Sequence, residues 1–243
     1  MNTIIFFSRT PESGHGKTRL RKDVPDEKVD AIAAYLYEKM YGTLANTPFR
    51  LVIHYDGKVL AKDVPSSLQE GRDLGDKMAR SLQRELPHGP ALLIGSDLMG
   101  IDEDYISDAF RALEKKDIVL GPARDGGYGL VGMTHFVDIF SGITYSQGDV
   151  LENTVKKAKA QGKSVALLNT IRDIDDISDL AAEVLECPIA SFSENETCFL
   201  FCSDDGKELK VFKSDPNNTS GLLHPTIMMP FFHFISNNVK ETL

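Results

Sequence analysis

The sequence predicts an α/β fold built on a mostly parallel sheet with helices on both faces. Short runs of Ile, Val, Leu and Phe alternate along the chain with longer amphipathic segments. This alternation is typical of parallel strands joined by crossover helices. The short runs are apolar almost throughout, as expected of strands that are buried on both faces. We therefore predict a doubly wound α/β domain.

The individual elements follow from the same pattern, in chain order. The predicted strands are residues 3–8, 49–54, 91–95, 117–121 and 164–168. The predicted helices are residues 27–44, 74–86, 102–115, 149–161 and 176–185. Several of these helices begin at Asp and end near Lys or Gly. Such ends suit the capping of free N–H groups and the direction of the helix dipole.

The sequence pattern changes after Pro188. We therefore divide the chain into a main domain, residues 1–187, and a C-terminal extension, residues 188–243. In the extension, TCFLFCSDDGKELKVF has the pattern of two strands joined by a turn at Asp205-Gly206. Asp-Gly between apolar runs is a strong hairpin signal. We expect the extension to pack on the main domain or on a second subunit of a homo-oligomer. The sequence does not reveal its role.

The net charge of the chain limits the classes of molecule that we expect it to bind. Of its 243 residues, 42% are hydrophobic and 26% are charged, and the formal net charge is −9. The composition is that of an ordinary globular protein. The negative charge argues against nucleic acid and anionic membranes as partners, because both require clustered Lys and Arg. A small anionic ligand needs only a local group of cations.

Cysteine usage and the first residues predict a cytoplasmic protein without a membrane span. The three cysteines, Cys187, Cys198 and Cys202, have no metal-ligand spacing and cannot all pair with one another. The first apolar run, residues 4–7, is too short for a signal peptide or a membrane-spanning helix.

The stretch FFSRTPESGHGKTRL contains Gly16-Lys17-Thr18, which is close to the end of a P-loop. A P-loop also needs a glycine at the position that Pro11 occupies. Proline has a fixed φ and no N–H, so it damages a loop that must surround phosphate with successive amides. We therefore predict another kind of phosphate loop.

The same stretch contains three cationic residues, Arg9, Lys17 and Arg19, together with two glycines, Gly14 and Gly16. A flexible loop of this kind can fold its amides and its three cations around a diphosphate. Taken alone, the motif is as typical of a solvent-exposed basic turn as it is of a phosphate-binding loop. The interpretation therefore depends on the other segments of the chain.

Together with later segments, this stretch resembles the N-terminal signature of the bacterial glycosyltransferase-A-like family of radical-SAM/selenodomain-associated transferases, in the nucleotide-diphospho-sugar transferase superfamily. Further segments resemble that family in the same order: GRDLGDKM, LLIGSD, LGPARDGGYGLVGM, ITYSQGDVLENTV and RDIDDISDL. The resemblance covers residues 1–185 and leaves the last part of the chain outside. It implies a Rossmann-like glycosyltransferase-A fold and a transferase that binds a nucleotide-sugar or a nucleoside triphosphate.

LLIGSD is a predicted strand that ends in Ser96-Asp97. An Asp at the carboxyl end of a parallel strand faces the ligand crevice of an open sheet, where a metal-bound diphosphate can be met. The resemblance implies that Asp97 is the metal-binding Asp of an Asp-x-Asp motif, with Ser96 beside the nucleotide and Mg²⁺ or Mn²⁺ as cofactor. The family's second carboxylate is missing, because Gly100 stands in its place.

RDGGYGLVGM joins a charged pair to two glycines and then to a strand. Gly126 and Gly127 allow the backbone to approach a ligand closely, and Asp125 can accept hydrogen bonds from sugar or acceptor hydroxyls. Gly129 stands where the family usually has a second Tyr. Asp-Gly-Gly in isolation is most often an ordinary turn, and the resemblance favours a site role for these residues.

RDIDDISDL places Asp173 and Asp175 just before a predicted helix. Acidic residues gather at helix N-termini for capping and dipole reasons alone. The resemblance to the family's late acidic motif makes either residue a candidate for the metal-binding carboxylate that Gly100 does not supply.

GRDLGDKM leads into a helix and contains Asp73 and Lys77. The family's counterpart lies near the nucleotide, so both residues are candidates for contacts with the base or the ribose. A helix cap is an equally good interpretation of Asp73.

These residues together predict an enzyme, either a nucleotide-sugar-dependent glycosyltransferase or a related nucleotidyltransferase. Lys17, Asp97 and Asp125 are expected to be catalytic, because charges positioned at a departing diphosphate stabilise the transition state more than the substrate. A divalent cation would share this task. The fold does not distinguish glycosyl from nucleotidyl transfer. The alternative is a degenerate nucleotide-binding module, acting in assembly or regulation, in which Gly100 and Gly129 mark eroded catalytic positions.

Overall fold

The computed structural model describes residues 1–11, 16–58, 61, 63–176, 179, 198–202 and 209–213. The chain divides into two compact units. The first unit comprises Met1–Glu12 and Leu36–Ile174, and the second unit comprises Ser13–Tyr35 and Asp175–Leu243. The domain boundary after residue 187 stays a prediction.

The first unit is built on a seven-stranded sheet. Its strands are β1 (Thr3–Arg9), β2 (Arg50–Asp56), β3 (Ser66–Leu68), β4 (Ala91–Gly95), β6 (Ile118–Pro122), β7 (Tyr128–Met133) and β8 (Val165–Leu167), while β5 (Leu98–Met99) and β9 (Arg172–Asp173) pair with each other outside this sheet. The order across the sheet is β3-β2-β1-β4-β7-β6-β8. Strand β7 runs antiparallel to β4 and β6, and the other neighbouring pairs of the sheet are parallel. The predicted mostly parallel sheet is confirmed.

The described residues include four α-helices, which are α1 (Asp26–Ala45), α2 (Leu74–Glu85), α3 (Glu103–Leu113) and α4 (Val150–Ala160). They match the first four predicted helices closely. The side chains of Asp73 and Asp102 cap α2 and α3 by accepting hydrogen bonds from the first-turn N–H groups. Most of the fifth predicted helix, residues 177, 178 and 180–185, lies outside the described residues. Within the described part of the chain, no helix is long and apolar enough to cross a membrane.

Both faces of the sheet are buried under helices. Along β1, Ile4 and Phe6 join a core cluster on one face, whereas Ile5 joins a cluster on the other. The first cluster includes Tyr37, Met40 and Leu44 of α1 with Ile106, Phe110 and Leu113 of α3, and the second includes Met78 and Leu82 of α2 with Ala158 of α4. Successive side chains of a strand point to opposite faces of the sheet. A strand buried on both faces must therefore be apolar throughout, which confirms the predicted placement of helices on both faces.

Three short strands, β3, β5 and β9, are not predicted by the sequence pattern. They contain only two or three residues each, which is too few to show a hydrophobic period. Their pairing depends on chain segments that are distant in sequence, so only the tertiary structure reveals them.

In the second unit, β10 (Cys198–Cys202) and β11 (Leu209–Lys213) form an antiparallel pair in which Cys198 lies opposite Lys213. The two strands coincide with the two apolar runs of the predicted hairpin, and the hairpin of the extension stays a prediction. The predicted turn at Asp205-Gly206 lies outside the described residues.

A buried group of charged side chains joins β2 to α2. Arg50 Nη1 donates a hydrogen bond to Glu85 Oε2 at 2.6 Å, and His54 Nε2 lies 3.2 Å from Glu85 Oε1. Burial lowers the pKa of His54 below its ordinary value, although Glu85 acts in the opposite direction. Burial by itself would raise the pKa of Glu85, but the hydrogen bonds from Arg50 and His54 outweigh it and lower that pKa. Near neutral pH, Glu85 is therefore ionised and the neutral form of His54 is favoured.

We expect this buried group to make the fold less stable in mild acid. Both pKa values are lower in the folded state than in the unfolded chain, so the unfolded chain takes up more protons as the pH falls. The free energy of unfolding should decrease as the pH falls through 6.5, the ordinary pKa of His, and further below 4.5, the ordinary pKa of Glu. Melting temperatures measured on both sides of pH 6.5 should show a shallower decrease for His54→Gln than for the unmodified protein. Equal pH dependence in the two proteins would contradict this assignment.

Candidate functional site

The parallel strands of the first unit end at one edge of the sheet, which we call the carboxyl edge. Strand β1 is paired with β4 as far as Gly95. Arg9, at the end of β1, and Asp97, which follows β4, therefore both lie at the carboxyl edge. Arg9 also lies opposite Asp56, the last residue of β2. Moving across the sheet, the strand order reverses between β1 and β4. Open α/β sheets bind ligands at such a reversal, beyond the carboxyl ends of the strands, so the structure supports the predicted location of the site.

Two cations share one carboxylate at the carboxyl edge. Asp56 Oδ2 accepts hydrogen bonds from Arg9 Nη2 at 3.3 Å and from Lys77 Nζ at 3.0 Å. The hydrogen bond from Lys77 is the main reason that the pKa of Asp56 is lowered, with Arg9 adding to it and burial opposing it. Sequence reasoning missed Asp56. Its signal was an acidic residue at the carboxyl end of an apolar strand, the same signal that made Asp97 a candidate.

Asp73 has a structural role at the start of α2. Its Oδ1 accepts a hydrogen bond from the N–H of Asp76 at 2.8 Å, which is the geometry of an N-cap. The structure therefore supports the capping interpretation. Contact of Asp73 with a base or ribose stays a prediction.

Asp97 begins a turn that β5 and β9 fix in place. Ser96 Oγ donates a hydrogen bond to Asp97 Oδ1 at 2.9 Å, and the carbonyl of Asp97 accepts one from the N–H of Ile174 at 3.1 Å. Leu98 of β5 lies opposite Asp173 of β9. The backbone segments that carry two of the predicted metal ligands, Asp97 and Asp173, are therefore neighbours.

The position of the missing second carboxylate has a backbone that favours glycine. Gly100, which follows β5, has φ +83°, in the left-handed region that side-chain-bearing residues rarely adopt. An Asp at this position would be strained even though the space around it is open. The turn after β5 therefore explains the glycine in structural terms.

The loop before β7 is held by the side chain of Asp125, by the first turn of α4 and by close approach to Gly148. The N–H of Gly127 donates to Asp125 Oδ1 at 2.8 Å, and the N–H of Leu151 donates to the carbonyl of Gly126 at 2.9 Å. Gly126 has φ +86°, and a Cβ on it would lie 2.1 Å from the carbonyl oxygen of Gly148. In this structure Gly126 therefore permits close approach to Gly148. The ligand contacts of Asp125, Gly126 and Gly127 stay predictions.

Gly129 makes room for the β5 side chain that packs on the sheet. A Cβ at Gly129 would lie 2.3 Å from Leu98 Cδ2 and 2.8 Å from Ile171 Cδ1. Both of these side chains belong to the buried core. A second Tyr at this position would displace them, so the departure from the family pattern matches the local packing.

Three buried hydroxyl groups belong to residues that follow Asp125 and Gly126 in sequence. They belong to Tyr128, Tyr145 and Thr154, and the hydroxyls of Tyr145 and Thr154 both interact with that of Tyr128. Burial raises the pKa of both tyrosines. The two phenols are therefore neutral near neutral pH and do not serve as bases.

In the second unit, the basic loop has a left-handed backbone at two successive residues. Gly16 has φ 76° and Lys17 has φ 48°. A non-glycine residue in this region costs about 1–3 kcal/mol and persists only where the surrounding structure holds it. Arg21 supplies part of that support, because its Nε donates to the carbonyl of Gly16 at 2.8 Å and its guanidinium pairs with Asp26 and Asp30. The hydrogen bond that Arg21 donates to Asp30 is the main cause of the raised pKa of Arg21.

The two predicted phosphate-binding cations of this loop share Asp175. Lys17 Nζ lies 3.8 Å from Asp175 Oδ1, and Arg19 Nη2 lies 2.9 Å from Asp175 Oδ2. The side chain of Lys17 is only 5% exposed, whereas that of Arg19 is 50% exposed. Gly14, the remaining predicted residue of the loop, lies outside the described residues.

The predicted site for a divalent cation depends on which donor groups the structure brings together. Within the described ranges, no group of three or more His, Cys, Asp and Glu side chains is arranged to hold a metal ion. Mg²⁺ in nucleotide-binding enzymes usually takes one or two protein carboxylates, together with waters and substrate phosphates. Asp97 with Asp173 fits such a donor set in number and chemistry. Asp97, Asp173 and Asp175 all stay predictions as metal ligands.

Comparison with known proteins supports the fold and gives a functional class. Residues 44–147 match the family model described as uncharacterized proteins conserved in bacteria, DUF2064. A 2-phospho-L-lactate guanylyltransferase of Methanopyrus kandleri is 26% identical over 190 residues, which are 74% of this chain and 89% of that protein. The association with radical-SAM or selenodomain proteins stays a prediction.

Solved structures lead to the same fold. A provisionally named nucleotide-diphospho-sugar transferase of Desulfovibrio desulfuricans G20 superposes with a TM-score of 0.73 at 29% identity, covering 79% of this chain and 90% of that one. A cytidylyltransferase of Leptospira borgpetersenii has a TM-score of 0.50 at 14% identity, covering 79% and 90%. The predicted fold, that of nucleotide-diphospho-sugar transferases and nucleotidyltransferases, is confirmed.

Three glycine variants separate backbone strain from steric conflict. Gly42 in α1 and Gly162 after α4 both have open space where a Cβ would lie, but Gly162 has φ +71°. Relative to the unmodified protein, Gly42→Ala should stabilise by about 0.5–1 kcal/mol, because glycine is unfavourable inside a helix. Gly162→Ala should cost about 1–2 kcal/mol for its left-handed backbone.

Gly126→Ala should destabilise more than Gly162→Ala, because it combines a left-handed backbone with a clash against Gly148. Urea unfolding of the three variants measures the order. If Gly126→Ala cost no more than Gly162→Ala, the close approach of the two loops would be refuted.

Proposed function

We propose that this chain is a nucleotidyltransferase, which transfers a nucleoside monophosphate from a nucleoside triphosphate to a small phosphorylated acceptor. An acceptor phosphate oxygen would bond to the α-phosphorus, the bond from that phosphorus to the bridging oxygen of the β-phosphate would break, and pyrophosphate would leave. The observation that carries this proposal is the similarity to a guanylyltransferase over most of both chains. For this reason GTP is the first nucleotide to test.

The charged groups have roles that follow from their chemistry. Arg9, Lys17 and Arg19 would bind the phosphates, because guanidinium and ammonium groups form charge-assisted hydrogen bonds to phosphate oxygens. Negative charge accumulates on the leaving pyrophosphate, and cations held in place beforehand stabilise it without reorganisation. The buried ammonium of Lys17, on a supported left-handed backbone, is a group held in place in this sense. Asp125 would orient the acceptor.

Asp97 and Asp173 would hold the divalent cation, Mg²⁺ or Mn²⁺. When bound, such an ion supplies a Lewis acid that polarises a phosphoryl oxygen. Ser96 Oγ, which donates a hydrogen bond to Asp97 Oδ1, helps to orient the carboxylate of Asp97.

Glycosyl transfer from a nucleotide-sugar is the second candidate function. The similarity to the Desulfovibrio protein, whose provisional name is a nucleotide-diphospho-sugar transferase, favours it. The same groups would act, because a nucleoside diphosphate leaves with a similar accumulation of charge.

Phosphorus NMR distinguishes the candidates. The protein would be mixed with each of ATP, GTP, CTP and UTP, with Mg²⁺ or Mn²⁺, and with 2-phospho-L-lactate as the trial acceptor, and in parallel with nucleotide-sugars. Release of pyrophosphate together with the two coupled phosphorus signals of a new phosphoanhydride (P–O–P) linkage supports nucleotidyl transfer. Release of nucleoside diphosphate from a nucleotide-sugar alone supports the second candidate. Binding of nucleotides with no product from any donor supports the degenerate module.

Lys17→Ala should weaken GTP binding by about 10-fold to 100-fold, because a hydrogen bond to a charged group contributes about 1.5–3 kcal/mol. Isothermal titration calorimetry measures the change. Lys22→Ala is the matched control, since Lys22 is an exposed cation of the same segment. Melting temperatures without ligand show whether Lys17→Ala is folded. Equal GTP affinities in the two variants would remove Lys17 from the proposal.

Asp97→Asn should reduce the effect of Mg²⁺ on GTP binding, because a neutral amide is a weaker ligand for a hard cation than a carboxylate. The control is Asp104→Asn, an exposed carboxylate in the first turn of α3. GTP affinities with and without Mg²⁺ give the result. If Asp97→Asn kept the full response to Mg²⁺, Asp97 would have no part in metal binding.

A further inference from the structure

Asp56 lies at the carboxyl edge without a role in the proposed reaction. A single oxygen of its carboxylate accepts from both Arg9 and Lys77. Arg9 was predicted as a phosphate ligand, and Lys77 as a contact for the base or ribose. The lowered pKa of Asp56 means that the carboxylate is ionised near neutral pH. The carboxylate of Asp56 therefore lies between two cations that were predicted to bind a ligand.

The backbone holds Asp56 at this point. It ends β2 opposite Arg9 of β1, and its carbonyl accepts a hydrogen bond from the N–H of Thr10 at 2.8 Å. Lys77 reaches it from the second turn of α2. An oxygen that receives both an ammonium and a guanidinium has the surroundings that proteins give to a phosphate oxygen. The carboxylate thus resembles a bound phosphate in charge and in partners.

We propose that Asp56 is a positioning residue that substitutes for a ligand phosphate between Arg9 and Lys77, and that a nucleotide phosphate displaces it from these cations. The inference rests on the proposed function, since it assumes that the carboxyl edge binds a nucleotide. In the free protein Asp56 keeps the two cations together. When product leaves, the carboxylate returns to them and competes with rebinding of pyrophosphate.

The exposure of the three side chains makes this exchange easy. The exposed fractions are 63% for Arg9, 36% for Asp56 and 25% for Lys77. Ion pairs in contact with solvent are weak, because water screens the charges and the long side chains lose freedom when paired. A polyphosphate brings several charges and more acceptor oxygens than one carboxylate. It therefore replaces Asp56 as a partner of Arg9 and Lys77.

Asp56→Asn tests the proposal. The amide has the same shape and can still accept a hydrogen bond, but it lacks the charge that competes with phosphate. Calorimetric affinities for GTP and for inorganic pyrophosphate should increase by about threefold to tenfold, the range expected when a solvent-exposed ion pair no longer has to open. Both affinities should also fall more steeply with added salt, because one more cationic charge meets the ligand. In turnover, KM for GTP should decrease, and kcat should decrease with it because pyrophosphate leaves more slowly.

Asp108→Asn is the matched control, since it removes a carboxylate that is paired with Arg111 on the exposed side of α3. It should leave the affinities unchanged. The melting temperature of Asp56→Asn without ligand reports any structural damage. If that variant does not fold, Asp56→Ser replaces it, because serine also removes the charge and keeps a hydrogen-bonding oxygen, and both affinities should again increase.

The outcomes separate the two levels of the proposal. Tighter binding of GTP and pyrophosphate by Asp56→Asn, or by Asp56→Ser, supports the role of Asp56. If the unmodified protein binds GTP but neither variant changes the affinity in the stated direction, the inference about Asp56 is wrong and the proposed function stands. If neither GTP nor pyrophosphate binds to the unmodified protein, both are overturned.

Discussion

Parallel hydrogen bonding of β1 with β2 and β4 is the interaction on which the candidate site depends. It brings Arg9, Asp56 and Asp97, which are far apart in sequence, to adjacent strand ends. The apolar side chains of β1 are buried on both faces, so the register of these pairs is strongly specified. A shift by one residue would exchange the faces of the whole strand. The core therefore determines where the charged groups lie.

A second constraint comes from close backbone packing around β7. Gly126 meets the backbone of Gly148, and Gly129 leaves room for Leu98. Together with the left-handed turn at Gly100, these contacts give each departure from the family pattern a structural reason. Loss of activity is not needed to explain them. The enzyme hypothesis is accordingly better supported than the degenerate module.

Opposite charges are paired at each group of cations that the sequence predicted to contact a nucleotide. Arg9 and Lys77 share Asp56 in the first unit, and Lys17 and Arg19 share Asp175 in the second. This pairing is consistent with a chain whose net charge is −9 and which nevertheless has the local cations that a polyphosphate requires. Ion pairs of partly exposed groups can open for a stronger anion, because solvent keeps their net stability small. Local pairing, more than net charge, describes the electrostatics of these loops.

The sequence alone determined the fold class and most of the long strands and helices, because burial on both faces leaves a continuous apolar run and a helix leaves its own period. It also identified Asp97 and the basic loop. Only the tertiary structure decided that Asp56 joins Arg9 and Lys77, that Asp73 caps α2, and which glycines serve packing. The physical reason is that periodicity is a local property of the chain. Ion pairs and close backbone contacts depend on strand register and on distances between segments that are remote in sequence.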